Sequence, residues 1–168
     1  MKKFMAVSAL SLASSPHALA QSNIESPAMF PRDAGAGSPY WLGTRDSNGA
    51  YLDGGKAYKL IVPLPLPATL FWSVKICDPD NRSESQTDQA KAALRSLFEL
   101  KGARGATAEL YFGPLAPAGQ ESRWIKTTPG QGWFTYMRLD GPERAAFDGT
   151  WRPGDIEPIR LAVLAIGR

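Results

Sequence analysis

Three prolines stand at alternate positions in the middle of this chain, Pro63, Pro65 and Pro67, with an alternating apolar stretch on either side. Proline has no N–H to give to a sheet ladder or a helical turn, so no regular element passes through this run. The elements beside it are therefore short. Upstream, Tyr58, Leu60 and Val62 alternate with Lys59 and Ile61; downstream, Leu70, Trp72, Val74 and Ile76 alternate with Phe71, Ser73 and Lys75 until Asp78-Pro79 ends the run. A period of two puts each set on one face of an extended strand, and Leu70, Trp72, Val74 and Ile76 are predicted to face the interior. The same alternation recurs in Ala108–Phe112 and Trp133–Leu139, while Ile159 to Ile166 reads as a more continuously apolar last strand. Helical signal is confined to Thr87–Leu94 and Pro142–Phe147, both short. No internal repeat is visible, which removes solenoids and propellers. The expectation is an all-β, antiparallel β-sandwich with one or two short helices.

The N-terminus speaks to compartment. Lys2 and Lys3 precede the mostly apolar run Phe4 to Ala13, and Ala18-Leu19-Ala20 before Gln21 has the small-x-small spacing that signal peptidase accepts. Residues 1–20 are predicted to be a secretory signal cleaved after Ala20, giving a periplasmic or secreted product. An ordinary N-terminal helix is the alternative, because Ser8, Ser11, Ser14, Ser15 and Pro16 dilute or end the apolar stretch. Residues 21–39, rich in Ser, Pro, Gly and Ala, read as a linker, and residues 40–168 as the folded domain. No other apolar run approaches the roughly 20 residues of a transmembrane helix.

Cleavage would remove Lys2, Lys3 and His17, taking the 19 basic residues to 17 against 16 acidic, a net charge of +1. No dense basic stripe remains for phosphate contacts, so nucleic acid is not an expected partner. Without histidine, Ser-His-Asp and Cys-His chemistry and most zinc or copper sites are also removed. No metal and no cofactor are expected. Cys77, the one cysteine, cannot form an intramolecular disulfide. With 43% hydrophobic and 21% charged residues, the 168-residue chain can bury the core of a single domain.

Several motifs together resemble a bacterial family. They are Asp46-Ser47-Asn48-Gly49, Leu52-Asp53-Gly54, Tyr58, the proline-rich turn leading to Phe71-Trp72-Ser73-Val74, and Ala108-Glu109-Leu110-Tyr111-Phe112. Then come Trp124 with Pro129-Gly130, Phe134 through Arg138-Leu139, and Gly149-Thr150-Trp151-Arg152-Pro153. In this order they are similar to the domain of unknown function 1214, over about Tyr40 to Ile159. The resemblance implies a jelly-roll-like β-sandwich, usually the C-terminal half of an exported protein behind a second uncharacterised domain, numbered 1254. It implies no activity. The expected departures from the family pattern are a predicted leader and linker where the preceding domain would stand, Arg123 before Trp124, and Asp140-Gly141 after Leu139.

Candidate chemistry rests on carboxylates and aromatics. Asp46-Ser47-Asn48-Gly49 resembles the start of a calcium loop, but Ala57 stands where the bidentate Glu is needed, and Asn48-Gly49 suits a type I′ hairpin turn. Asp78-Pro79-Asp80-Asn81 suits a surface turn equally. A carboxylate-dependent, carbohydrate-active hydrolase or lyase would draw on Asp46, Asp53, Asp78, Asp80, Glu109, Asp140 or Asp148, none paired by spacing. Ser73 and Lys75 share a strand face and form a conceivable dyad. Trp72, on an otherwise aliphatic face, reads as core. Tyr40, Trp41, Trp124 and Trp151 lie near Pro/Gly turns where they could line a rim; Tyr40, Trp124 and Trp151, with Arg138 beside Phe134 and Tyr136, are the ligand-binding candidates, since sugar rings stack on exposed aromatics and arginine holds acidic groups. The alternatives are that these rings plug the end of the sandwich and that Arg138 makes a structural ion pair. The reading is a binding module for a small-molecule or saccharide ligand or an envelope protein, with the hydrolase and a structural envelope module as rivals.

Overall fold

The computed structural model describes residues 38–160. The predicted signal, most of the linker and the end of the predicted last strand lie outside them. Among the described residues eight strands form two four-stranded sheets. They are β1 (Tyr40–Gly43), β2 (Ala57–Pro63), β3 (Ala68–Cys77), β4 (Ala93–Arg95), β5 (Thr107–Gly113), β6 (Trp124–Lys126), β7 (Phe134–Pro142) and β8 (Ile156–Ile159). The first sheet runs β1-β7-β3-β4 and the second β6-β5-β2-β8.

The alternation read in the sequence sets the inner faces. Trp41, Trp72, Val74, Ile76, Leu94, Met137 and Leu139 point inward from the first sheet, opposite Tyr58, Leu60, Val62, Ala108, Leu110, Phe112, Ile125 and Ile156 from the second. Burying these side chains is the main favourable term in the fold, about 1.5–3 kcal/mol for each large aliphatic or Phe. Trp133 closes one part of the core, its ring 5.6 Å from Tyr58 and 5.1 Å from Phe112.

Leu70 departs from the expected pattern: it is 70% exposed, whereas Trp72 is 8% exposed. The register between β3 and β7 shifts between Ala68, which pairs with Pro142, and Phe71, which pairs with Asp140. Two residues, Thr69 and Leu70, thus stand opposite Gly141 alone, a bulge that reverses strand parity. Gly141 has a φ of +62°, and a Cβ there would lie within 3 Å of both Thr69 and Leu70. The bulge therefore requires glycine.

Other local expectations are also corrected. Thr87–Leu94 is not helical. Ala90 has a φ of +52°, which ends the single turn closed by its N–H to the Thr87 carbonyl, and Leu94 enters β4 opposite Val74. Tertiary pairing overrides the alanine propensity here. Pro142–Phe147 contains only a three-residue 3-10 turn, Arg144–Ala146, and a second such turn forms at Glu121–Arg123. Sheet pairing is antiparallel except for β5 and β6, which run parallel with Tyr111 opposite Trp124. Only three residues pair, so the chain need reverse by only about 10 Å to begin β6. Among the described residues a strand not expected from the sequence, β8, runs over Ile156–Ile159, and most of the predicted Ile159 to Ile166 strand lies outside them.

The Asp46 loop is not a type I′ turn either, because only Gly49 has a positive φ, +82°. The Gly49 N–H bonds the Asp46 carbonyl, and Asp46 Oδ1 accepts the N–H groups of Asn48 at 2.9 Å and Ala50 at 3.0 Å. This is a three-residue hairpin loop closed by a glycine, with the Asp46 carboxylate spent on its backbone.

Gln89 performs a related service at the edge of the second sheet. Its amide donates to the Trp124 carbonyl at 3.2 Å and accepts the Lys126 N–H at 2.8 Å. The side chain thereby occupies backbone positions on β6 that a further strand would take.

Candidate functional site

The outer face of the first sheet carries the residues left over by the core: Tyr40 and Leu42 on β1, Phe134, Tyr136, Arg138 and Asp140 on β7, and Phe71, Ser73 and Lys75 on β3. The register places Tyr40 and Ser73 on either side of Arg138, and Leu42 and Lys75 on either side of Tyr136. At one end of this face lies a cleft of about 570 Å³ lined by Leu42, Thr44, Phe134, Tyr136, Lys75 and Cys77 with Pro79 and Arg82. Its volume falls in the range of about 300–1,000 Å³ common to small-molecule sites.

Sheet and turn contribute differently. Phe134 and Tyr136 are neighbours on β7, held half-buried by the strands flanking them. The wall beyond Cys77 is a turn built by Asp78: its N–H bonds the Ser83 carbonyl, its own carbonyl accepts the Arg82 N–H, and its Oδ1 accepts the Asp80 N–H. Arg82, at φ +59°, is carried to the rim by this turn. The chain then returns along β3, with Cys77 and Glu84 forming an antiparallel bridge.

The two cations in the lining have different partners. Lys75 Nζ lies 3.3 Å from Glu84 Oε1 and 5.3 Å from the centre of the Tyr136 ring. Arg82 has no acidic partner among the described residues and is exposed. Burial, then the neighbouring Tyr40, pushes the Tyr136 phenol above its ordinary pKa, so it is a neutral hydrogen-bonding group at neutral pH. Burial likewise raises the Cys77 thiol, against the opposing influence of Lys75. The thiol stays protonated, so Cys77 supplies polarizable wall rather than a nucleophile.

The four candidates from the sequence separate into two groups. Tyr40 and Arg138 adjoin the cleft: the Tyr40 ring lies 4.7 Å from Tyr136, and Arg138 occupies the next position outward on the same strand face. Arg138 is held by Asp140 through Nη2 at 2.8 Å, and the Ser38 hydroxyl donates to the same carboxylate. The Asp140 hydrogen bond raises the guanidinium pKa further. Trp124 and Trp151 lie elsewhere. Trp124 is half-buried on edge strand β6, its indole N–H bonded to the Gly113 carbonyl at 2.9 Å. Trp151 packs edge-on against Trp41 at 5.6 Å, bonds the Pro63 carbonyl at 3.2 Å and rests on the core. Lys75 and Arg82 complete the site. Lys75 was visible in the sequence only as a neighbour of Ser73, and Arg82 gave no signal beyond following a turn motif.

Most of the carboxylates considered for hydrolysis have structural partners. Asp46 and Asp78 bind turn N–H groups, and Asp53 Oδ1 accepts the Gly55 N–H. Glu109 accepts the Tyr111 hydroxyl at 2.6 Å and lies 3.8 Å from Lys59. Asp140 holds Arg138, and Asp148 Oδ1 accepts both the hydroxyl and the N–H of Thr150. Lys75 meets Glu84 rather than Ser73. Among the described residues no group of three or more Cys, His, Asp and Glu side chains is placed to hold a metal ion, and no helix is long and apolar enough to cross a membrane.

Comparison with solved structures finds the VPA0106 protein from Vibrio parahaemolyticus, 21% identical, with a TM-score of 0.63 over 73% of this chain and 31% of that one. An uncharacterised protein from Burkholderia cenocepacia is 15% identical, with a TM-score of 0.44 over 75% of this chain and 30% of that one. The first likeness is one of fold, and the chain spans about a third of the length of both solved proteins. Comparison with curated proteins gives no match. A family model described as Protein of unknown function (DUF1214) matches residues 37–144, well over half of the sequence, and the chain belongs to that family.

Proposed function

We propose that this domain is a binding module whose small-molecule ligand, of the saccharide class, seats in the cleft over Phe134 and Tyr136. The observation that carries the reading is a recess of about 570 Å³ that combines an aromatic floor with Lys75, Arg82 and Thr44 as polar contacts and has no acidic side chain in its lining. A ring with an apolar C–H face stacks on such a floor, while hydroxyl, ammonium and guanidinium groups at the margin fix its orientation. Tyr40 extends the platform across β1. Export with cleavage after Ala20 belongs to the same proposal, and the N-terminal residue of the protein recovered from a bacterial periplasm tests it: Gln21 is expected, and Met1 refutes export.

Thermal shift of the full chain against galactose, glucose and their uronic acids tests the binding reading. A ligand at 100 times its Kd stabilises the folded state by about 2.7 kcal/mol, a readily measured rise in Tm. The rise is expected for the wild type and lost in Tyr136→Ala. No rise with any of these sugars, or an equal rise in Tyr136→Ala, refutes the site.

A further inference from the structure

We propose that the cleft selects a carboxylate-bearing sugar, and that Glu84, paired with Lys75 from outside the cleft, competes with that carboxylate for the ammonium group. The inference rests on the binding reading above and adds the charge of the ligand and a built-in competitor for it. Both charged side chains in the lining are cationic. Arg82 is an exposed fork with no acidic partner among the described residues, brought to the rim by a turn that the Asp78 carboxylate and backbone hold closed. A guanidinium so placed matches the planar, two-oxygen geometry of a carboxylate. Lys75 supplies the second charge beside the Tyr136 ring, where a stacked sugar would carry its acidic group.

Glu84 meets Lys75 from outside the cleft, its backbone fixed to β3 by the bridge with Cys77 and by the Ser85 N–H to the Ile76 carbonyl. The pair is partly exposed, 34% for the Lys75 side chain and 55% for Glu84, so solvent screens it and it is of the weak, exchangeable kind. A ligand carboxylate meeting both Lys75 and Arg82 displaces it readily. A neutral sugar gains nothing from the exchange.

Isothermal titration of the full chain with galacturonate, its methyl ester and galactose separates the possibilities. Galacturonate is expected to bind about tenfold or more tighter than the other two, a difference of about 1.4 kcal/mol. Arg82→Gln should remove most of that preference, weakening galacturonate far more than galactose. Glu84→Gln should tighten galacturonate severalfold by removing the competitor, and added salt should weaken galacturonate alone. Both substitutions are at exposed positions, and urea denaturation verifies that each variant folds. Equal affinity for galacturonate and galactose, both lost in Tyr136→Ala, overturns this inference while leaving the binding reading intact. No binding of any of the three overturns both. Unchanged or weaker galacturonate binding in Glu84→Gln overturns the competitor.

Discussion

Trp72 and Trp124 are the same residue type in opposite situations, and replacing each by alanine tests the division between core and edge. Trp72 is 8% exposed and points inward with Val74 and Ile76. An indole of this kind buries on the order of 200 Å², which at about 25 cal/mol per Å² corresponds to roughly 4–5 kcal/mol. The denatured chain already buries part of this surface, lowering the figure, while the cavity left behind raises it, so a cost of about 4 kcal/mol is expected. The backbone of Trp72 keeps its bonds to Ser96 in the variant, since neither uses the indole. Trp124 is half-buried, and its one indole hydrogen bond goes to a Gly113 carbonyl that also accepts the Thr127 N–H. Its loss leaves no orphaned acceptor, and about 1–2 kcal/mol is expected. Urea denaturation followed by far-ultraviolet circular dichroism avoids the altered fluorescence of variants that each lack one of the five tryptophans. With a slope near 2 kcal/mol per M, Trp72→Ala should lower the midpoint by about 2 M and Trp124→Ala by under 1 M. A wild-type midpoint for Trp72→Ala, or a larger loss for Trp124→Ala, would show that core and edge have been inverted.

Gly141→Ala should destabilise by about 2 kcal/mol or more, because alanine is strained at φ +62° and its Cβ would overlap Thr69; an unchanged denaturation midpoint would count against the bulge. Burial, then the hydrogen bond to Glu109, pushes the Tyr111 phenol up to about 12 from an ordinary 10.0. A phenol with a raised folded-state pKa contributes its full stability below pH 10 and loses it as pH climbs toward 12. Wild type should therefore lose stability more steeply than Tyr111→Phe between pH 10 and 12, and parallel midpoint curves would refute the assignment.

Strand faces were legible in the sequence wherever the period of two runs unbroken. Tyr58, Leu60 and Val62 on β2 and Val74 and Ile76 on β3 all lie inside, as their alternation predicts. Leu70 was not legible because its orientation is decided by Gly141, a residue some seventy positions away that becomes its neighbour only when β3 meets β7. The apparent helix at 87–94 failed for the same kind of reason. Local propensity favoured it, but Leu94 gains more as an inward residue of β4 and Gln89 finds its partners on β6. Of the site, the shared face of Phe134, Tyr136 and Arg138 follows from β7 alone. That Tyr40 lies beside them depends on the register with β1, and that Arg82 closes the cleft depends on a turn whose direction no local pattern reveals.

The glutamine that covers the edge of β6 also has a mechanical consequence for the cleft. The segment between β3 and β4 is fastened twice, to the first sheet through the Cys77–Glu84 bridge and to the second through Gln89. Between Cys77 and the Glu84 fastening lies Arg82; between the two fastenings the chain runs for only a few residues. The cleft wall is thus a strap anchored across both layers of the sandwich, and its freedom to yield to an incoming ligand is set partly at the far sheet. Amide exchange at Lys126, whose N–H is held by Gln89, reports the opening of that distant fastening directly.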